Sequence, residues 1–142
     1  MSNLSAFLSQ NAIKAENVKK AVSNRFVGEN GEPIEWEFAA VSAETDEHIR
    51  KSCMVKTPVT GKKNMYKQEI DREKYIAKIA AQTVVYPDLN DVSLQDSYGV
   101  KDAVSLLKKM LIAGEYTALM SVVNEVNGYD VTMKDKVDEA KN

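Results

Sequence analysis

The sequence predicts an α+β domain: an N-terminal β-hairpin, or a small antiparallel sheet, followed by a mainly helical bundle. Three observations carry this expectation. Residues 34–41 alternate apolar and polar side chains behind an Asn30-Gly31 pair, the period of a half-buried strand following a turn. Later segments repeat apolar residues at helical spacing, with capping residues before them and Gly or Pro after them. The strand signals precede the helices, the order of an α+β chain rather than of a parallel α/β sheet.

Each element has a local reason. Near the N-terminus, Leu4, Phe7 and Leu8 share i, i+3, i+4 spacing. They form either one amphipathic turn that docks on the domain or a partner, or a loosely attached terminus. The hairpin strands cover 18–27 and 34–41. A two-residue Asn30-Gly31 turn would set Val27 opposite Ile34 and Arg25 opposite Trp36. Pro33 would then oppose Gly28 on an edge strand, where its missing N–H is harmless; a longer loop would shift this register. Ser42 caps a helix over 43–55, with Glu44, Asp46 and Glu47 in the first turn, where the helix dipole favours acids. Their partners four residues on are His48, Arg50 and Lys51.

Pro58 lies beyond that helix. Residues 57–70 are a loop or a second hairpin around Thr60–Asn64. Asp71 caps a helix over 72–85, with an apolar stripe of Tyr75, Ile76, Ile79, Ala80 and Thr83, and Pro87 ends it. A short helix over 93–98 stops at Gly99, and another follows over 101–112. Gly114 interrupts the pattern before a last helix over 115–127, closed by Asn127-Gly128. Residues 1–130 read as one domain. Residues 131–142 are a polar tail of alternating charge, expected to lack fixed structure alone.

Composition narrows the function. The chain has 142 residues, 44% hydrophobic and 28% charged, which fits one globular domain. Lys and Arg total 19 against 21 acids, so the formal charge is −2. That balance supplies no electrostatic reason to bind nucleic acid or an anionic membrane. No stretch approaches the ~20 apolar residues of a membrane span. The N-terminus lacks the basic and apolar regions of a secretory signal. A single cysteine, Cys53, excludes an internal disulfide and a multi-cysteine zinc site, and suits a reducing cytosol.

No motif commits the chain to catalysis. Thr60-Gly61-Lys62-Lys63 lacks both the earlier Gly and the following Ser or Thr of a phosphate loop. Asp88, Asn90 and Asp91 lack the sixth-position Gly and twelfth-position Glu of a calcium loop, and read as turn and cap residues. His48 and Cys53 stand about 140° apart around one helix and cannot readily share a metal. His48 is expected exposed beside Glu44, and Cys53 buried as a small hydrophobe. No catalytic residue, cofactor or metal is expected. The last two helices carry wide apolar arcs that include Leu106, Ile112 and Val122. Those arcs are either all core or leave one side free for a partner.

Several collinear segments resemble the phage tail assembly chaperones of the XkdN-like type. They are Asn30-Gly31-Glu32-Pro33-Ile34-Glu35-Trp36-Glu37, Pro87-Asp88-Leu89-Asn90, and Leu94-Gln95-Asp96-Ser97-Tyr98-Gly99-Val100. Leu106-Leu107 through Met110-Leu111, Gly114-Glu115-Tyr116, and Val126-Asn127-Gly128-Tyr129-Asp130 extend the likeness over roughly residues 15–130. The resemblance implies a non-catalytic cytoplasmic protein, absent from the mature virion. It would coat the tape-measure protein, keep it soluble and help recruit tail-tube subunits. It also implies a longer frameshift product, of which this chain would be the short form, and leaves room for weak self-association. The expected partner-binding residues are Trp36, Leu94, Tyr98 and Tyr116 from the matching segments, with Leu106 and Val122 from the wide arcs. The alternatives are a structural component retained in the particle and a small enzyme or nucleotide-binding domain.

Overall fold

The structure is a computed structural model that describes residues 3–129. The expected polar tail over 131–142 lies outside the described residues. A 3-10 turn, Asn3–Phe7, opens the described chain with no buried residue. Strands β1 (Val18–Lys20) and β2 (Trp36–Phe38) follow. Helix α1 (Ala43–Ser52) then leads into a hairpin of β3 (Met54–Pro58) and β4 (Tyr66–Ile70). Helix α2 (Arg72–Thr83) runs directly into β5 (Val84–Tyr86). The chain continues through α3 (Val92–Ser97), α4 (Ala103–Met110) and α5 (Ala113–Val126). The α+β class and the N-terminal hairpin are therefore as the sequence predicts.

The hairpin register differs from the expected one. Val18 pairs with Phe38 and Lys20 with Trp36, while Val27 bridges Pro33 rather than Ile34. The turn is longer than two residues: the Gly28 N–H donates to the Glu32 carbonyl at 2.9 Å, and Gly31 takes φ 79°. Residues 21–25 then leave the ladder, with Val22 and Ser23 buried, and pairing resumes where the Phe26 carbonyl accepts the Ile34 N–H at 2.8 Å.

A second difference lies at Val84–Tyr86, whose Val84 and Val85 are expected to end the helix over 72–85. These residues pair with β2 instead, Phe38 with Val84 and Glu37 with Tyr86, giving an antiparallel sheet of order β1-β2-β5. Adjacent β-branched valines suit a strand, and the open edge of β2 supplies the hydrogen-bond partners. β2 is thereby the central strand and buries Trp36 and Phe38. Of the two readings left open for 57–70, the hairpin forms, with Met54 opposite Ile70 and Pro58 opposite Tyr66.

Side-chain caps mark most of the helices. Ser42, Asp71, Asp91 and Asp102 each accept a backbone N–H three residues on, at 3.1, 3.2, 2.8 and 2.9 Å. The break between α4 and α5 falls at Leu111–Ile112, and Gly114 sits inside the first turn of α5. Glu115 accepts the Ile112 N–H at 3.0 Å, and Leu111 turns inward to be buried. On α1, Asp46–Arg50 and Glu47–Lys51 pair at 3.2 and 3.1 Å. Glu44 and His48, both exposed, form no such ion pair.

One core joins the sheet and the helices. Phe38, Cys53, Ala80, Leu106 and Leu119 are fully buried within it, and Cys53 behaves as the expected small hydrophobe. α1 is held to α2 by Tyr75, whose hydroxyl donates to Asp46, while the Arg50 guanidinium lies 5.3 Å above its ring. Burial, then the bond to Asp46, pushes the Tyr75 hydroxyl up to about 12. At the other end, α5 stops at Gly128 (φ 80°), a left-handed position that suits Gly, and the Tyr129 N–H returns to the Asn124 carbonyl at 2.8 Å.

Candidate partner-binding groove

The β1–β2 connection, the end of β5, α3 and the end of α4 converge on an apolar groove of about 170 Å³. Trp36 and Met110 are buried and form its floor. Phe26 and Ile34 make one wall; Tyr86, Pro87 and Leu94 make the other. Every lining side chain is apolar or aromatic. Such a surface discriminates by shape and apolar area.

Each wall is held from behind. Trp36 starts the central strand, so its position is set by both neighbouring strands. Its ring meets Phe26 with centroids 6.4 Å apart and planes tilted by 52°, within the spacing that aromatic pairs favour. Leu94 sits in the first turn of α3, where Asp91 caps it and the Gln95 side-chain amide donates to the Leu89 carbonyl at 2.8 Å. Leu89 is itself core.

The Phe26 wall hangs on a polar clamp. Arg25 donates from Nη2 to the Met110 carbonyl at 2.7 Å and to Glu115 Oε1 at 2.5 Å, and from Nε to Glu115 Oε2 at 3.1 Å. Ser23 Oγ also donates to Glu115. The Arg25 guanidinium lies 5.1 Å over the Phe26 ring, so the clamp and the wall share one side chain. The hydrogen bonds from Arg25, then Ser23, hold the Glu115 carboxyl down to about 2 from 4.5.

A lowered carboxylate value has a definite pH signature. Its stabilisation is present above the unfolded value near 4.5 and is lost as pH falls toward about 2. The melting temperature of the wild-type chain should therefore fall more steeply between pH ~5 and ~2 than that of Glu115→Gln. Thermal unfolding across that range checks it; parallel slopes for the two chains would show that the clamp does not stabilise the fold.

The six partner-binding candidates separate by their place in the fold, since Trp36 is as buried as Leu106 and Val122 but alone of the three lines the groove. Trp36 and Leu94 meet in the groove. Leu106 and Val122 are buried core residues away from the groove, whereas Ile112, the third residue of the wide arcs, is 61% exposed. Tyr98 and Tyr116 pack half-buried against the same core. Phe26, Tyr86 and Pro87 were missed. Phe26 lies within the expected strand over 18–27, its carbonyl accepting the Ile34 N–H at 2.8 Å, and Tyr86 lies just past the helix expected over 72–85, on β5. Ile34 carried the alternation signal, but only as a hairpin residue.

Two further features bear on the chemistry. Among the described residues, no three His, Cys, Asp or Glu side chains stand together as a metal site. No described helix is long and apolar enough to cross a membrane.

Comparison with known proteins agrees along the whole fold. The family described as phage XkdN-like tail assembly chaperone protein matches residues 4–141. Protein YqbN of Bacillus subtilis (strain 168) is 31% identical over 141 residues, covering 99% of this chain and 93% of the relative. The phage-like element PBSX protein XkdN of the same strain is 29% identical over 141 residues, covering 99% and 94%. A crystal structure of the protein YqbN superposes with a TM-score of 0.77 at 29% identity, over 92% of this chain and 99% of that one.

Proposed function

The chain belongs to the phage XkdN-like tail assembly chaperone family, and from that premise we propose that it solubilises the tape-measure protein by seating an apolar helix face in the Trp36–Leu94 groove. The observation that carries this reading is the groove itself, a wholly apolar lining on a surface held by the sheet, α3 and the Arg25–Glu115 clamp. A long helical protein with apolar stripes needs such a cover until the tail tube encloses it. An apolar site with few polar contacts suits repeated, reversible binding along that length. The role is non-catalytic and cytoplasmic. Recruitment of tail-tube subunits belongs to the same reading, because a covered tape measure presents many copies of this chain to incoming subunits.

The test is co-expression with the tape-measure protein, read as its soluble fraction. The wild-type chain should bring it into solution and co-purify with it. Ile34 and Tyr86 are 37% and 54% exposed, so Ile34→Glu with Tyr86→Glu should spare the fold, checked by an unchanged melting temperature. The double variant should weaken capture about tenfold or more, since it places charge in an apolar contact. If the wild-type chain leaves the tape measure insoluble, the chaperone reading fails. If the double variant works as well as wild type, the groove is not the docking surface.

A further inference from the structure

We infer that residues 3–13 are a strap that seats Phe7 in the Trp36–Leu94 groove of their own chain and leaves when a partner helix enters. The inference rests on the groove reading above and adds its regulation. The segment is uncharged: the first charged side chain after Asn3 is Lys14. Phe7 and Ile13 are 79% and 99% exposed, and Leu8 is 44% exposed. The segment nonetheless holds a shape of its own. Asn3–Phe7 is a 3-10 turn, the Asn11 and Ala12 N–H groups both donate to the Leu8 carbonyl at 2.9 Å, and the Asn11 side-chain amide donates to the Ser5 carbonyl at 2.8 Å. Ordering such a turn costs chain entropy that side chains left in water do not recover. A second apolar surface recovers it.

Reach selects the groove of the same chain. Residues 13–16 join the turn to Asn17, whose side-chain amide donates to Glu37 Oε2 at 2.8 Å. Glu37 follows Trp36, the groove floor, and pairs in register with Tyr86, one of the groove walls. The strap is thus tied beside the groove it covers. Extended, residues 13–16 span about 13 Å. A flexible tether this short holds the segment at an effective concentration on the order of a millimolar at a neighbouring site, above that of a free chain. The short loop costs little to close.

The chemistry matches as well. The groove is lined by apolar and aromatic side chains alone, and its volume of about 170 Å³ is of the size of one aromatic side chain. Phe7 brings a ring without bringing a charge past Glu29, Glu32 and Glu35, which are exposed on the connection that supplies Ile34. Seating removes the apolar surface of strap and groove from water together. A seated strap lowers the apparent affinity of a partner by the fraction of time the groove is open. A long apolar helix face makes more contact than one ring and displaces it.

The test attaches a nitroxide to the full chain carrying Ser9→Cys; Cys53 is buried, so the label goes to position 9 alone. At low concentration, the amide signals of Ile34 and Leu94 should be lost beside the label. They should recover when Phe7→Ser and Leu8→Ser are added, since the tether is unchanged and only the seating is removed. All three positions are exposed. Signals that stay strong, that fail to recover in the double variant, or that are lost from an unlabelled chain mixed with labelled chain would overturn the inference. Without the label, Phe7→Ser with Leu8→Ser should capture the tape-measure protein about threefold more tightly, the gain for a groove otherwise open about a third of the time. Equal capture by the two chains would overturn the gating. The label experiment needs no tape measure, so a strap that seats in a chain unable to solubilise that protein overturns the chaperone reading alone.

Discussion

Leu106→Ala lowers the stability of the folded chain by about 3 kcal/mol, the cost of removing a leucine side chain that the core cannot fully close over. Leu106 is fully buried, among the largest side chains with no exposure, and belongs to the core that joins α4 to the sheet and α5. The removed methyl groups forfeit their transfer free energy, and the cavity left behind adds to the loss. Urea unfolding reads this as a lower midpoint with an unchanged slope. Against a typical total of about 5–15 kcal/mol, the variant remains mostly folded at room temperature. Its groove is intact there, so it should still capture the same partner as wild type. A shift below about 1 kcal/mol combined with lost capture would reverse the assignment and return Leu106 to the binding surface.

Asn127→Ala costs about 2 kcal/mol, more than a helix-end residue would suggest. Asn127 accepts the Val41 N–H at 2.8 Å and donates to Thr83 Oγ1 and the Val123 carbonyl, both at 3.0 Å. One amide thereby ties the segment after β2, the end of α2 and α5 together. Thr83 is fully buried, its hydroxyl donating to the Ile79 carbonyl at 2.7 Å. Alanine leaves the half-buried Val41 N–H without its acceptor, and an unmet donor shielded from water costs more than the bond contributed. Thermal unfolding measures the loss, and hydrogen exchange locates it: the Val41 amide should exchange faster, with the β3–β4 arm unaffected. Unchanged exchange at Val41 would show that water replaces the amide without penalty.

Asn127 also shows how far a sequence motif carries. Asn127-Gly128 marks a helix end, and the helix does end there with Gly128 in the left-handed region. Nothing in the motif indicates that the Asn side chain would reach Val41 and Thr83, because those partners lie 86 and 44 residues away in sequence. Ser42 and Asp71 were readable as caps for the complementary reason: each bonds a backbone N–H three residues on, inside its own segment. The Asp46–Arg50 and Glu47–Lys51 pairs follow from the same local spacing.

The errors share one cause. Val84 and Val85 fall within the helix expected over 72–85 but belong to β5, which pairs with β2 in space, because strand pairing is decided by a partner far along the chain. The β1–β2 register depends on a turn one step longer than Asn-Gly requires and on an interruption at 21–25 that no periodicity marks. The site divides the same way. Trp36 and Leu94 could be named, but the groove between them needs Phe26, Tyr86, Pro87 and Met110 from three other stretches.

The sequence by itself determined the α+β class, the helix caps at Ser42 and Asp71, the place of the N-terminal hairpin and the family, because short-range hydrogen bonds, periodicity and collinear segments are all written along the chain. Only the tertiary structure decided which apolar residues are core and which are surface. Leu106 and Trp36 are equally apolar in sequence. Both are buried in the one core, but Leu106 is enclosed by helices and sheet on every side while Trp36 also lines the groove, and that difference depends on neighbours that only the folded chain brings together.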